Sequence, residues 1–369
     1  MKLAVIGFCY NHQVGIRNIK VFDELSKLGN IEIDLITVTC WGGYKDAKLK
    51  SLEKSNFRIH LLKPIFLSNK SIQYRYYMRG LFRKIKEINP DVVYIVNEPL
   101  AINTFLAMIY SRILRKKIMC FTWENIFIKK NLPIRIFEKF VLNNIGRFVA
   151  GSKDAKKVLI KKGVLQGKIT VLPQTGIDTK LFKAFGKRPC NETCLFIGRL
   201  EDEKGIEYIL AAKRMLGEKG KKYNYLFVGS GKWLGTLQRL SRKDSGVRVI
   251  KWVDYLNLPK IYNSASVFLY PSVPTKLWEE QFGYAMAEAM SCGLPVIASD
   301  MSGPREIIKD KIDGFIIKPK YAKELSEKIE YLIENERKLK EFSKRAMRNI
   351  KRFDNKEIAK KLLQEIKKL

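Results

Sequence analysis

The sequence predicts an α/β fold with two Rossmann-like domains. Short apolar runs alternate with longer amphipathic runs in both halves of the chain, which is typical of parallel strands joined by helices. The length of 369 residues exceeds what a single core normally accommodates. Two domains are therefore expected, each with its own parallel sheet.

A change in composition marks the expected domain boundary. Between Asp178 and Thr193, glycine, proline and basic residues replace the apolar periodicity. We expect an N-terminal domain over 1–180, a C-terminal domain over 181–350, and a helix over 351–369 that packs back towards the N-terminal domain.

Thirteen apolar runs have the length of buried strands. Seven lie in the N-terminal half: Lys2–Phe8, Ile31–Thr39, Phe57–Leu62, Val92–Val96, Lys117–Phe121, Phe148–Ala150 and Thr170–Leu172. Six lie in the C-terminal half: Cys194–Ile197, Tyr225–Val228, Val247–Ile250, Val267–Tyr270, Val296–Ala298 and Phe315–Ile317. Ligands of doubly wound sheets bind outside the carboxyl ends of the strands, so the residues that follow these runs are the first candidates for a site.

The charge balance is strongly basic. Lys and Arg number 70 against 37 Asp and Glu, which gives a formal net charge of +33. Such an excess attracts polyanions over a long range, whether they are nucleic acid, acidic glycans or an anionic membrane surface.

The segment Phe66–Ile88 concentrates this charge. As a helix it would align an apolar stripe, including Tyr74, Leu81 and Ile85, beside a row of arginines. Basic amphipathic helices of this kind bind anionic membranes, although the stripe could equally belong to the core with the arginines solvated.

The cysteines and the N-terminus indicate a cytosolic protein. The six cysteines are scattered, and only His12 and His60 could complete a zinc site, so buried reduced thiols are expected. The apolar run after Lys2 lacks a signal-peptide cleavage site and is better interpreted as a first strand. Leu100–Leu114 is too short and too polar to span a bilayer.

The stretch Trp278–Asp300 carries the first candidate chemistry. A helix is expected from Gly283 to Ser291, with Glu280 ahead of it and Glu288 in its second turn. Free amides near Gly283 and Tyr284 would attract phosphate, and the two carboxylates could accept hydrogen bonds from sugar hydroxyls on either side. For the two glutamates alone, a solvated helix face is an equally good interpretation.

The loop after Cys194–Ile197 supplies cations. It begins at Gly198 and contains Arg199, whose fork can bind phosphate oxygens, and Lys204, which adds a point charge before a helix start. Gly229, after the next strand, is compatible with close backbone approach to a ligand. Trp252 and Val253 could frame a nucleotide base through backbone contacts.

Taken together, these motifs resemble the retaining family 4 glycosyltransferases, whose GT-B fold has two Rossmann-like domains facing across a cleft. The C-terminal half carries the most specific matches: Gly198-Arg199-Leu200, Lys204-Gly205, Glu280-x-Phe282-Gly283, Glu288-Ala289-Met290 and Gly293-x-Pro295-Val296-Ile297-Ala298. The N-terminal half adds Ser152, Ile169-x-Val171-Leu172-Pro173 and Gly176-Ile177-Asp178 with Phe182.

The resemblance implies transfer of a sugar from a nucleoside-diphosphate sugar with retention at the anomeric carbon. It implies no cofactor and no obligatory metal, and the sequence contains no Asp-x-Asp. Arg199, Lys204 and the helix start at Gly283 would stabilise charge on the leaving diphosphate. Glu288 would hold the donor ribose, and Glu280 would contact the hydroxyls of the donor sugar.

The acceptor side departs from the family pattern. Where many relatives have a histidine after the strand at Lys117–Phe121, this chain continues with Thr122-Trp123-Glu124-Asn125. Glu98 and Glu124, with His12 as a further candidate, are therefore expected to position or deprotonate the acceptor hydroxyl. The glycine-rich first loop of relatives is reduced to Gly15.

The leading hypothesis is a cytoplasmic glycosyltransferase at the inner face of a membrane that acts on a lipid-linked or cell-surface glycan. One alternative is an epimerase or hydrolase of the same fold. Another is a basic membrane-binding or nucleic-acid-binding protein without catalysis, in which the paired carboxylates would have no purpose; a nucleic-acid partner is therefore not expected.

Overall fold

A computed structural model describes residues 1–7, 13–39, 57–67, 74–186 and 192–369. The chain forms two compact units, one made of Met1–Gly176 with Asn355–Leu369 and the other of Ile177–Asp354. These are called unit 1 and unit 2. Each is an α/β unit built on a parallel sheet, as the sequence predicted.

Unit 1 contains a seven-stranded sheet in the order β3-β2-β1-β6-β7-β8-β9. Every pair of neighbours in it is parallel. The strands are β1 (Lys2–Gly7), β2 (Glu32–Val38), β3 (Arg58–Leu62), β6 (Val92–Val96), β7 (Lys117–Thr122), β8 (Arg147–Ala150) and β9 (Ile169–Val171). The seven strands predicted for this half are confirmed, within one to two residues at most ends.

Helices cover the sheet of unit 1 and bury its apolar side chains. They are α1 (Gln13–Ser26), α2 (Leu81–Ile88), α3 (Ile102–Ile113), α4 (Leu132–Asn143), α5 (Lys153–Lys161) and α13 (Asn355–Lys367). The predicted cap at Ser152 is confirmed, because its hydroxyl accepts the Ala155 N–H at 3.1 Å. At the other end of the chain, Arg147 lies 2.5 Å from Glu365 and ties α13 to β8.

The helix predicted over Phe66–Ile88 is wrong for most of its length. Residues 64–66 and 76–78 form an antiparallel hairpin of β4 (Pro64–Phe66) and β5 (Tyr76–Met78), while 68–73 fall outside the described residues. The helix begins only after Gly80, whose φ of +81° interrupts the helical backbone. Met78, Leu81, Ile85 and Ile88 are buried in the core, so these members of the predicted stripe are not offered to a membrane.

Unit 2 contains a six-stranded parallel sheet in the order β12-β11-β10-β13-β14-β15. The strands are β10 (Thr193–Ile197), β11 (Asn224–Val228), β12 (Val247–Ile250), β13 (Val267–Tyr270), β14 (Val296–Ser299) and β15 (Gly314–Ile317). The helices are α6 (Ile206–Glu218), α7 (Leu234–Lys243), α8 (Leu258–Asn263), α9 (Tyr284–Ser291), α10 (Ser302–Ile307), α11 (Ala322–Glu334) and α12 (Glu336–Ile350). The order places β10, the first strand of the unit, beside β13, which creates a switch point between them.

The structure also bears on the expectations for the cysteines and for a membrane-spanning helix. Cys120, Cys194 and Cys292 are buried thiols, whereas Cys9, Cys40 and Cys190 lie outside the described residues. Within the part of the chain that the structure describes, no helix combines the length and the apolar character needed to cross a bilayer.

Candidate active site

A buried cation–carboxylate pair lies at the carboxyl ends of β10 and β13. Lys204 Nζ donates a hydrogen bond of 2.6 Å to Glu280 Oε2, and the two side chains are only 10% and 13% exposed. Tyr270, the last residue of β13, donates its hydroxyl hydrogen to the same oxygen at 2.7 Å. Lys204 and Glu280 are separate candidates in the sequence, and the structure brings them into direct contact.

Aromatic rings enclose the Lys204 ammonium. Its Nζ lies 4.4 Å from the centre of the Trp278 ring and 5.6 Å from that of Tyr270. Cation–π attraction and the carboxylate therefore hold one charged atom from three directions. Because an ammonium has three N–H donors, the hydrogen bond to Glu280 leaves donors for a ligand oxygen.

A glycine makes this approach of two loops possible. Gly205 follows the short 3-10 turn Asp202–Lys204 and has a φ of +72°. A Cβ at this position would lie 1.9 Å from the Pro271 carbonyl oxygen. The Val273 N–H donates to the Glu203 carbonyl at 2.8 Å, so the loop after β10 is fixed against the segment after β13.

Arg199 lies apart from this pair. Its guanidinium is 62% exposed and lies 2.8 Å from Glu203. The adjoining backbone is closely packed, since Gly229 has a φ of +147° and a Cβ there would lie 1.9 Å from the Gly198 carbonyl oxygen. Arg199 is thus a long, exposed side chain on closely packed backbone at the end of β10, and its guanidinium is accessible to anions from solvent.

The start of α9 lies next in the chain after Glu280. Gly283 adopts a φ of +89° immediately before the first helical residue, Tyr284. Phe282 is buried against the rings of Tyr284 and Phe353, with centroid distances of 4.8 and 5.3 Å. The Gly303 N–H donates to the Glu280 carbonyl at 2.8 Å. These contacts fix the residues that lead into the amide-rich first turn of α9.

Glu288 lies one turn further along α9 and is almost completely buried. Its Oε2 accepts a hydrogen bond of 2.9 Å from the Tyr262 hydroxyl. Burial and then the charge of Glu288 raise the pKa of Tyr262 well above its usual value, so Tyr262 remains a donor.

The remaining donor-side candidates are more scattered. Trp252 is exposed after β12, and Val253 beside it is half-buried. Gly15 lies in the first turn of α1. His12, which is a candidate for the acceptor side, falls outside the described residues.

The acceptor-side candidates lie together in unit 1. Glu98 and Glu124 follow the neighbouring strands β6 and β7. Glu98 accepts hydrogen bonds from the Thr122 hydroxyl and, at 2.9 Å, from the Trp123 N–H. Burial raises the pKa of Glu98 to about 7, and these two hydrogen bonds offset only part of that rise.

Glu124 belongs to a buried network of charges. Its carboxylate contacts Lys162 and Lys130, and both lysines also reach Glu138, at 2.6 and 2.9 Å respectively. Burial acts to lower the pKa of Lys162, but the two carboxylates outweigh it and raise the pKa overall. Lys162 therefore stays charged beside Glu124.

Sequence reasoning missed several residues of these clusters, among them Tyr270, Thr122, Trp278 and Tyr74. Tyr270 and Thr122 are the last residues of β13 and β7, and the rule that sites form at carboxyl ends could have identified them. Trp278 stands two positions before Glu280. Tyr74 gave no signal; burial and the charges of Glu98 and Glu124 raise its pKa to about 12.

A metal site does not emerge from the described ranges. In 1–7, 13–39, 57–67, 74–186 and 192–369, no three His, Cys, Asp or Glu side chains come together in a way that could hold a metal ion.

Comparisons with known proteins agree with this architecture. The model described as Glycosyl transferases group 1 matches residues 178–349, and the one described as Glycosyltransferase Family 4 matches residues 21–181. A crystal structure of Anabaena Alr3699/HepE in complex with UDP superposes with a TM-score of 0.78 over 100% of both chains, at 17% identity. At that identity the likeness shows the fold, which is GT-B.

Two curated relatives add sequence similarity. An uncharacterized glycosyltransferase of Methanocaldococcus jannaschii, MJ1607, is 33% identical over 37% of this chain and 35% of its own length. The N,N'-diacetylbacillosaminyl-diphospho-undecaprenol alpha-1,3-N-acetylgalactosaminyltransferase of Campylobacter jejuni is 26% identical over 61% of this chain and 63% of its own length. The chain thus spans about a third and just under two thirds of the lengths of these relatives. Fold, family models and relatives together support a glycosyltransferase family 4-like protein of the GT-B fold.

Proposed function

We propose that the protein is a retaining glycosyltransferase that moves a sugar from a nucleoside-diphosphate sugar to a lipid-linked or cell-surface glycan, without an obligatory metal. The observation that carries the proposal is the buried Lys204–Glu280 pair at the switch point of unit 2, beside the first turn of α9. A cation, the backbone amides of a helix start and a carboxylate at one strand edge suit a ligand that has both phosphates and hydroxyls.

Each donor-side group has a chemical task in this proposal. Lys204 and the amides at Gly283 and Tyr284 bind the diphosphate, and the exposed Arg199 closes on its outer oxygens. Glu280 accepts hydrogen bonds from hydroxyls of the transferred sugar, and Glu288 accepts them from the ribose. All cationic groups act where negative charge develops as the diphosphate departs.

Glu98 is the better of the two candidates for the acceptor hydroxyl. A pKa of about 7 allows it to take up or release a proton near neutral pH, whereas Glu124 is held by two lysines. The acceptor oxygen forms its bond to the anomeric carbon on the face from which the diphosphate leaves, so retention needs no protein nucleophile. The hydroxyl proton passes to Glu98 or to the departing phosphate oxygen.

The acceptor class and the cellular location rest on similarity. The Campylobacter relative is named for a diphospho-undecaprenol acceptor. We extend that class, a glycan on a lipid diphosphate, to this chain and place the reaction at the cytoplasmic face of a membrane.

A donor screen tests the proposal. Purified protein is incubated with a panel of nucleotide sugars, with and without a lipid-diphosphate acceptor, and release of nucleoside diphosphate is measured. We expect turnover that depends on the acceptor, a product with the anomeric configuration of the donor, and no loss of rate with a chelator. Donor consumption without acceptor would instead indicate a hydrolase or epimerase, and failure of every nucleoside diphosphate to bind would refute the proposal.

A matched pair of variants examines the role of Arg199. Arg199 and Arg214 are both exposed arginines paired to a glutamate four positions on in unit 2. Arg199→Ala should lower kcat/KM by about a hundredfold or more, as loss of a donor to transition-state charge does, while Arg214→Ala should leave it unchanged. Equal effects of the two substitutions would remove Arg199 from the site.

A further inference from the structure

Helix α4 of unit 1 exposes an apolar stripe. Leu132, Ile136 and Phe140 recur at intervals of four residues, so they share one helix face, and they are 65%, 62% and 48% exposed. Phe127 and Ile128 in the preceding loop are exposed as well. A cluster of large exposed apolar side chains on a soluble unit marks a contact surface.

The opposite face of α4 is firmly attached to the unit. Glu138, Val141 and Leu142 are buried, and Glu138 receives hydrogen bonds from Lys130 and Lys162. The Asn131 side chain caps the helix by accepting the Ile134 N–H at 3.3 Å. The orientation of the stripe is therefore fixed by the fold, and the exposed residues are not a frayed end.

Cations border the stripe. Arg135 and Lys139 lie on the same side of α4 as Leu132 and Ile136, because they follow these two residues by three positions each. A cavity of about 530 Å³ opens here, lined by apolar side chains of the stripe and its loop together with Lys129, Arg135, Lys139 and Lys161. Lys161 Nζ lies 4.2 Å from the centre of the Phe127 ring.

We propose that this α4 surface, made of residues 127–140 with Lys161, docks onto an anionic phospholipid bilayer. The apolar stripe would enter the headgroup boundary, while the cations contact lipid phosphates, with attraction strengthened by the overall charge of +33. The surface replaces Phe66–Ile88 as the membrane contact, since Met78, Leu81, Ile85 and Ile88 of the predicted stripe in that segment are core.

The surface also connects to the acceptor-side cluster. Lys162 lines the cavity and contacts Glu124 through the buried network. This connection rests on the proposed function, in which docking would bring a lipid-linked acceptor to Glu98 and Glu124. The docking itself does not depend on catalysis.

Vesicle sedimentation tests the docking without donor or acceptor. Full-length protein is mixed with phosphatidylcholine vesicles, with and without phosphatidylglycerol, and the bound fraction gives a partition coefficient. Binding should require phosphatidylglycerol. Replacing two cations by Arg135→Gln and Lys139→Gln should lower the coefficient by roughly 25-fold, about fivefold for each cation near the surface.

The apolar stripe has its own matched control. Ile136 and Ile113 are isoleucines of unit 1 with 62% and 63% exposure, and Ile113 ends α3. Ile136→Ser should weaken binding by about tenfold, whereas Ile113→Ser should not. For the charges, the control is Arg242→Gln with Lys243→Gln, two exposed cations in the last turn of α7.

Several results would overturn the docking proposal. The proposal fails if the wild-type protein does not bind phosphatidylglycerol vesicles. It also fails if the control variants lose as much binding as the test variants. A third result of this kind is Ile136→Ser binding like wild type while the charge variant does not bind, because that result describes a polyanion surface without membrane insertion. Thermal stabilisation of each variant by nucleoside diphosphate reports separately on the donor site, so the two proposals fail independently.

Discussion

Variants of the Lys204–Glu280 pair can distinguish a role of Lys204 in folding stability from a role in donor binding. Lys204→Met removes the cation and leaves the Glu280 carboxylate in a site where it is only 13% exposed. Glu280→Gln in the same chain then removes the stranded charge while keeping a similar shape. The single and double variants should differ in stability but not in their inability to bind donor.

The size of the effect follows from the burial of the pair. Removing one partner of a buried ion pair destabilises by about 3–5 kcal/mol, because the remaining charge is uncompensated. Tyr270 still donates to Glu280, which places the loss for Lys204→Met near the lower end, about 3 kcal/mol. For a unit of this size, that corresponds to a fall in Tm of roughly 6–12 °C. The double variant should recover about 1–2 kcal/mol of it.

Thermal unfolding with and without nucleoside diphosphate measures both quantities. The exposed pair Lys232–Asp202 in the same unit is the control, and its Lys232→Met and Asp202→Asn variants should show no measurable coupling. We expect the double variant at Lys204 and Glu280 to regain stability but to gain none from the ligand. If ligand stabilisation returned together with folding stability, Lys204 would be a structural residue and its assignment to the diphosphate would be refuted.

Three further outcomes are expected. Glu98 has a folded-state pKa of about 7, above the usual value for a glutamate, so turnover should rise with pH through about 7 as the carboxylate forms, and Glu98→Gln should flatten that rise. The same raised pKa makes the contribution of Glu98 to folding stability greatest at low pH. That contribution declines as pH rises towards 7, which urea unfolding across this range measures. Gly205→Ala should destabilise unit 2 by more than about 3 kcal/mol, because the Cβ would lie 1.9 Å from the Pro271 oxygen at a φ of +72°, whereas Gly217→Ala within α6 meets no atom and should stabilise by about 0.5–1 kcal/mol in a thermal melt. Finally, donor turnover should persist in excess chelator and gain nothing from added Mg²⁺ or Mn²⁺, whereas loss of rate on chelation would contradict the metal-independent mechanism.

Continuous runs of β-branched and aromatic residues made the sheets predictable. Val92–Val96 is buried along its whole length, and only a strand inside a parallel sheet explains such a run at this length. Helix starts depend on caps as well as on periodicity: α4 begins at Leu132 because the Asn131 side chain accepts the Ile134 N–H.

The failure at Phe66–Ile88 has a local cause. Tyr77, Leu81 and Ile85 happen to keep a spacing of four residues across a strand, a turn and a helix. Periodicity cannot distinguish that coincidence from one continuous helix, but Gly80 could have, since a glycine inside a helical pattern is unfavourable and often marks a turn. Met78, Leu81 and Ile85 of the predicted stripe are core residues, and the exposed apolar stripe of unit 1 described above lies on α4 instead.

The contact between Lys204 and Glu280 could not be predicted because 76 residues separate them. Hydrophobic periodicity finds strands but does not give their order in the sheet. Only the order β11-β10-β13 brings the loop after β10 against the segment after β13. The same limit applies to Glu98 and Thr122, which meet because β6 and β7 are neighbours.

Each of the two charged clusters includes a residue that follows the fourth strand of its sheet. In each unit the first strand pairs with the fourth strand of the main sheet, β1 with β6 and β10 with β13, which forms a switch point. Lys204 and Glu280 follow the two strands of that pair in unit 2, whereas in unit 1 Glu98 follows β6 and its partner Thr122 ends β7. Loops diverge at such a switch point and leave backbone and side chains accessible. The chemistry of the two clusters differs. Unit 2 presents a lysine paired with a carboxylate beside helix amides, which favours an anionic ligand that also has hydroxyls. Unit 1 presents a carboxyl group with a pKa of about 7, which favours exchange of a proton with a hydroxyl. The proposed function assigns the donor to unit 2 and the acceptor to unit 1, and this difference in chemistry supports that assignment.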